Sequence, residues 1–219
     1  MQILRKSLLF CVFIGLSAMA FGEKLFEGSI TFIRKSYYDT TELRYLIKNN
    51  MIRVDEYDSD SQRIKSLLVN LEEDRVLAID PQRKRYRPLH VKSAGRLPDS
   101  SFQIVKTGNF KVINGKKCFQ WRVKNRKMNS EIAYWVTNTK FEFFHELINL
   151  LKRTERNYLF FEKIPSHKGY FPMLTIERTL VRDERERIVV DKIRQQKLQE
   201  DLFRIPDDYT RLRFSQQIR

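Results

Sequence analysis

The chain has 219 residues, 32% of them charged and 42% hydrophobic, with 42 Lys and Arg against 27 Asp and Glu, formally +15. That length suits one substantial domain, and the apolar content excludes a disordered or low-complexity chain. Seven glycines and three histidines leave little material for a phosphate loop or a histidine-rich metal centre.

The first 22 residues read as a signal peptide rather than part of the fold. Arg5 and Lys6 make a basic start, Leu8 to Leu16 is an apolar run too short to span a bilayer, and Ala18-Met19-Ala20 is a small-x-small site. Cleavage after Ala20 or after Gly22 both fit, and either predicts export to a periplasm or to the exterior. Export leaves residues 23–219 as one domain, with Cys118 as its single thiol and no internal disulfide.

From Phe26 the pattern is of strands. Gly28, Ile30 and Phe32 share one side of a first strand. Leu43–Lys48 and Met51–Tyr57 flank Asn49-Asn50, a turn pair that tolerates positive φ. Ile64–Leu71 and Val76–Asp80 form a hairpin around Glu72-Glu73-Asp74. Pro81-Gln82 then leads into Arg85-Tyr86-Arg87, which Pro88 ends or places on an edge. Gly95–Ser101 is a connection, and Phe102–Thr107 enters the central unit.

That unit runs from Phe110 to Val136. Asn114-Gly115 is the strongest hairpin signal in the chain, because both central positions of a type I′ turn need φ > 0. Beyond it Phe119, Trp121 and Val123 alternate with Cys118, Gln120 and Arg122. Ile132, Tyr134 and Val136 supply a second alternating strand. The spacing predicts an aromatic inner face, with Cys118 as a small buried residue.

The clearest helix follows. Thr139 with Glu142 has capping-box spacing, and Phe141, Phe144, Leu147, Ile148 and Leu151 fall on one face. At about 1.5–3 kcal/mol per buried side chain, that stripe needs a partner surface, and the sheet is the candidate. A further helical turn or two spans Glu155–Lys163. Met173–Arg182 and Arg187–Gln195 are strands, and the chain closes with Leu202-Phe203-Arg204-Ile205-Pro206.

Chemistry-bearing motifs are sparse. His145 to Asn149 has the spacing of the helical zinc-protease motif, but Asn149 stands where the second imidazole belongs. His90 and His167 lie beside prolines in loops. No Gly-x-Ser-x-Gly frame surrounds a serine, so an enzyme has no recognised nucleophile, and neither a metal nor a cofactor is implied. Two basic clusters stand out, Arg83-Lys84-Arg85 with Arg87, and Lys124 with Arg126 and Lys127. They read as solvated turns or as contacts to an anionic surface such as lipid headgroups or lipopolysaccharide. Nucleic acid is a less natural partner for an exported protein.

The order of elements resembles a known family. Phe26-Glu-Gly-Ser-Ile30, Val112-Ile-Asn-Gly-Lys-Lys-Cys118, Tyr134-Trp-Val-Thr137 and the closing Leu202-Phe-Arg-Ile-Pro206 resemble secreted bacterial domains of unknown function akin in fold to the lipoprotein carriers LolA and LolB. The resemblance implies an incomplete β-barrel with an apolar interior suited to acyl chains. No carrier residue maps here by motif.

The expected architecture is therefore mainly β with α: a curved antiparallel sheet of about nine to eleven strands with one main helix on its concave face. The expected function is non-enzymatic binding of a lipid or other hydrophobic ligand. Its candidate contacts are Phe119, Trp121 and Tyr134 from the sheet, and Phe144, Leu147, Ile148 and Leu151 from the helix, side chains that equally suit a packed core. The alternative is a basic module that docks onto anionic surfaces through the two clusters. A hydrolase with an unrecognised site ranks last.

Overall fold

The computed structural model describes residues 25–91, 101–139 and 141–212. The predicted signal peptide, its cleavage site and residues 95–100 of the predicted connection lie outside them.

The strands are β1 (Gly28–Ser36), β2 (Thr40–Lys48), β3 (Met51–Tyr57), β4 (Arg63–Asn70), β5 (Arg75–Asp80), β6 (Arg85–Leu89), β7 (Phe102–Ile113), β8 (Lys116–Asn125) and β9 (Ser130–Asn138). Two helices follow among the described residues, α1 (Glu142–Leu151) and α2 (Arg156–Glu162), then β10 (Tyr170–Arg178), β11 (Glu184–Gln195), a 3-10 turn at Glu200–Phe203 and β12 (Thr210–Arg211). The twelve strands of the described residues form one sheet in the order β12-β6-β5-β4-β3-β2-β1-β11-β10-β9-β8-β7. Pairing is antiparallel except for β12 on β6. The sheet is open, with β7 at one edge and the β6–β12 pair at the other. The count exceeds the expected nine to eleven because the C-terminal segment returns as a two-residue strand.

Turn chemistry sets the registers. Asn49, Asp74, Lys84 and Asn114 all take positive φ, as does Gly115, so the β2–β3, β4–β5, β5–β6 and β7–β8 hairpins close tightly. Bulges at Thr31/Phe32, Pro172/Leu174 and Lys106/Phe110 interrupt the ladders and add twist, which bends the sheet. Gly28 is required by contact: a Cβ there would overlap the carbonyl oxygen of Arg194 on β11.

Helices α1 and α2 cover the concave face. The stripe of α1 packs inward as its spacing predicts, with Phe144, Leu147, Ile148 and Leu151 all buried. The second helix adds Tyr158, Phe160 and Phe161 to the same core. The capping box does not form. Thr139 donates its backbone N–H to Gly169 O at 3.2 Å, and the Phe141 ring is held by Phe26 and Phe171 at centroid distances of 4.7 and 5.1 Å. Phe141 is the N-cap of α1 and makes no side-chain hydrogen bond.

A second, smaller core lies on the opposite face. Leu68 and Ile79 are covered there by Leu198 and Phe203 from the C-terminal segment. Arg53 ties that segment down, donating from Nη1 to Leu202 O at 2.9 Å while its Nε pairs with Asp55 at 2.9 Å.

Candidate functional site

The predicted ligand face is assembled, and its interior is filled by aromatic rings. Tyr134 meets Phe161 edge-on at 5.0 Å, and Phe144 meets Phe161 at 5.7 Å and Phe171 at 4.7 Å. Trp121 stacks on Phe161 at 6.4 Å and leans on Tyr170 at 4.7 Å. The Tyr134 hydroxyl donates to Asn157 O at 2.6 Å, which fastens α2 to β9. Burial and the negative charge of Glu177 hold that phenol well above its ordinary pKa, so it stays a neutral donor.

Phe119 is the exception. Its register partner is Val136, which puts it on the same face as Trp121. The helices do not reach that far along the strand, and Phe119 is 38% exposed. It belongs to the surface of the β7–β8 hairpin, not to the interior with Trp121 and Tyr134. Cys118 is fully buried, as expected, and burial raises its thiol pKa.

Open space lies where the strands end above α1. A cavity of about 480 Å³ is lined on its apolar side by Leu25, Phe26, Leu71, Phe141 and Phe143, and on its polar side by Asn49, Asn50 and Glu146 among others. Its volume falls in the roughly 300–1,000 Å³ range of small-molecule sites. A more open recess of about 790 Å³ adjoins it, sharing Phe26, Thr139, Phe141 and Gln195 and reaching Asn114 and Lys116 at the tip of the β7–β8 hairpin. Phe171 stands between this mouth and the interior, touching Phe141 on one side and Phe144 on the other. Sequence reasoning missed the mouth because it is made by segment ends: Phe26 precedes β1 and Phe141 precedes α1, and neither follows from alternation.

At the other end of the helices an ionic cluster joins them to the sheet. Arg34 on β1 lies 3.5 Å from Glu56, 3.3 Å from Glu155 at the N-terminus of α2 and 3.3 Å from Glu186 on β11. Burial alone would lower the Arg34 pKa, but the surrounding carboxylates raise it. Burial raises Glu186 in spite of Arg34. Beside this cluster the Tyr45 and Tyr158 hydroxyls share a 2.7 Å hydrogen bond, and burial lifts the Tyr45 pKa to about 12.

The histidines are brought together in part. His145 Nδ1 and His167 Nε2 are 3.3 Å apart, and His167 Nδ1 lies 2.7 Å from Ile164 O. Burial and then His167 lower the pKa of His145, which favours its neutral form, and the contact links α1 to the loop after α2. Among the described residues no group of three His, Cys, Asp or Glu could hold a metal ion.

The two basic clusters occupy turns at the same end of the sheet, the β5–β6 and β8–β9 turns, but strands β4 to β10 in the sheet order separate them. Arg83 pairs with Asp80 at 3.2 Å and Lys84 with Asp208 at 2.7 Å, which offsets part of the first cluster, where Arg85 and Arg87 are exposed. In the second, Arg126 and Lys127 are exposed and Lys124 is half-buried.

Three solved structures illustrate what the chain is similar to. An uncharacterized conserved protein from Thermus thermophilus superposes with a TM-score of 0.54 at 7% identity, over 85% of this chain and 89% of that one. MucB of Pseudomonas aeruginosa, seen in complex with MucA, gives 0.47 at 10% identity, over 82% of this chain and 56% of that one. A putative outer membrane lipoprotein-sorting protein domain from Vibrio parahaemolyticus gives 0.33 at 11% identity, over 80% and 87%. Of the three, the first is similar enough to speak for a shared fold. No curated protein matches the chain. The family profile of a domain of unknown function (DUF4412) matches residues 26–209. The chain belongs to that family, and its curved open sheet with helices on the concave side is the architecture that the resemblance to the lipoprotein carriers implies.

Proposed function

We propose that the protein is an exported, non-enzymatic binder of a hydrophobic chain in the bacterial cell envelope. The observation that carries this reading is the apolar mouth at Phe26, Phe141 and Phe143, set directly against the aromatic interior through Phe171. A ligand's apolar chain enters at the mouth. To go deeper it parts Phe141 from Phe171 and reaches the wall formed by Trp121, Tyr134, Phe144, Leu147, Ile148 and Leu151. Each buried methylene contributes about 0.8 kcal/mol, so about ten correspond to micromolar affinity before ordering costs. The polar rim at Asn49, Asn50 and Glu146 suits a ligand with a polar head.

Titration with a long-chain fatty acid, followed by tryptophan emission, tests the reading. A saturable change is expected because Trp121 packs on Tyr170 and Phe161 behind the mouth. Phe141→Asp places a charge on the entry path and is expected to weaken binding at least tenfold, roughly the worth of one apolar side chain. Absence of both a saturable response and any lipid in mass spectra of the native protein overturns it.

A further inference from the structure

The β7–β8 hairpin combines two properties on one surface. It exposes apolar side chains: Phe110 is 58%, Val112 66% and Phe119 38% exposed. It is also uniformly basic, since residues 101–130 contain eight Lys and Arg and no Asp or Glu. The register places the two properties on one face. Phe110 pairs with Phe119 and Val112 with Lys117, so these four side chains form one patch on the stretch of the hairpin that the helices leave uncovered. Lys117 Nζ sits 4.3 Å from the Phe110 ring centroid and 5.3 Å from that of Phe119. The tip beyond it carries Lys116, which also borders the recess beside the mouth.

From this arrangement we infer that the hairpin docks the protein on an anionic lipid surface. Phe110, Val112 and Phe119 enter the headgroup boundary, where aromatic and apolar side chains beside lysines are favoured. Lys116 and Lys117 meet lipid phosphates, and the rest of the basic hairpin supplies long-range attraction. Docking in this way turns the adjoining mouth toward the membrane.

Charge and edge geometry favour lipid over other occupants. A second copy would bring two acid-free basic hairpins together, and like charges oppose that. Strand addition along β7 is broken by its bulge, where Thr107 Oγ1 and Asn109 Nδ2 turn back to Gln120 at 3.1 and 3.2 Å. The exposed Tyr37, Tyr38 and Val181 at the opposite end of the sheet lie among charges of both signs, Asp39, Asp183 and Glu184 beside Lys35, Arg182 and Arg185, so that patch is not uniformly basic.

This inference goes beyond the ligand-binding reading and stands without it. The test is flotation of the full chain, in the form the cell delivers it, with vesicles of phosphatidylglycerol and phosphatidylethanolamine, or of phosphatidylcholine alone. Wild type is expected to float with the first and weakly with the second. The double variant Phe110→Ser/Val112→Ser is expected to lose at least about tenfold in partitioning. Lys116→Gln/Lys117→Gln is expected to lose a similar factor at low salt. Both alter exposed residues, and matching thermal transitions confirm that they fold. Tyr37→Ser/Tyr38→Ser should leave flotation unchanged. Equal flotation of wild type and both hairpin variants overturns the inference, as does no flotation of wild type. So does a self-association, or capture of an acidic protein, that Phe110→Ser/Val112→Ser abolishes while lipid binding is absent. Fatty-acid titration of the same variants separates the two readings, since the hairpin side chains lie outside the cavity lining.

Discussion

Arg34 lies among three carboxylates with its side chain only 18% exposed, and through Glu155 it ties the N-terminus of α2 to the sheet. Its Nε reaches ion-pair distance of Glu186 without making a hydrogen bond, so the attraction there is chiefly coulombic. Arg34→Met removes the cation and leaves Glu56, Glu155 and Glu186 facing one another. A loss of about 3 kcal/mol is expected, read from denaturant unfolding at neutral pH. The sign of its pH dependence follows from Glu186, whose folded pKa is already raised by burial and rises further without Arg34. A carboxyl with a raised folded pKa favours folding while protonated and opposes it once ionised. The deficit of the variant should therefore shrink as pH falls from about 7 toward the ordinary carboxylate range, and a deficit that grows instead would refute the assignment. Cys118 gives a second residue-scale expectation. It is fully buried and burial raises its pKa, so a thiol reagent at about pH 8 should label it far more slowly in the native protein than in denaturant.

Among the elements, those governed by local rules were legible in the sequence. Asn49-Asn50 and Asn114-Gly115 turn where their tolerance of positive φ predicts, and the α1 stripe faces the sheet. What failed was governed by distant contacts. Thr139 has the residue type for a cap, but its backbone N–H is held by Gly169 O and its hydroxyl does not reach the helix. Phe119 alternates correctly with Trp121 yet lies past the helical cover, because alternation gives the face and not how far along a strand the cover extends. The second core had a signal that alternation passes over. Leu67-Leu68-Val69 is a continuous apolar run, and such runs occur where both faces of a strand are covered. Leu67 and Val69 face the helices' side, and Leu68 faces the C-terminal segment. Phe203→Ala should consequently cost about 3–5 kcal/mol, the usual range for truncating a buried aromatic side chain. Thermal unfolding measures it, and a shift no larger than that of a surface substitution would show that the segment is not part of the cooperative unit.

At the scale of the whole molecule, the charge excess and the apolar mouth respond differently to salt. The basic hairpin attracts an anionic surface over a distance set by the Debye length, about 10 Å at 0.1 M salt and about 3 Å at 1 M. The apolar side of the cavity is made by Leu25, Phe26, Leu71, Phe141 and Phe143, and burial of an apolar chain against them does not weaken with added salt. Raising sodium chloride from about 0.05 M to about 0.5 M should thus release most of the protein from vesicles of phosphatidylglycerol and phosphatidylethanolamine. Over the same range the midpoint of the fatty-acid titration should move little. Phe110→Ser/Val112→Ser should leave that midpoint in place, whereas Phe141→Asp should shift it and leave flotation intact. If both kinds of binding fell together with salt, the fatty acid would be held by its carboxylate against surface lysines. The mouth between Phe26 and Phe141 would then be a gap in the packing rather than an entrance.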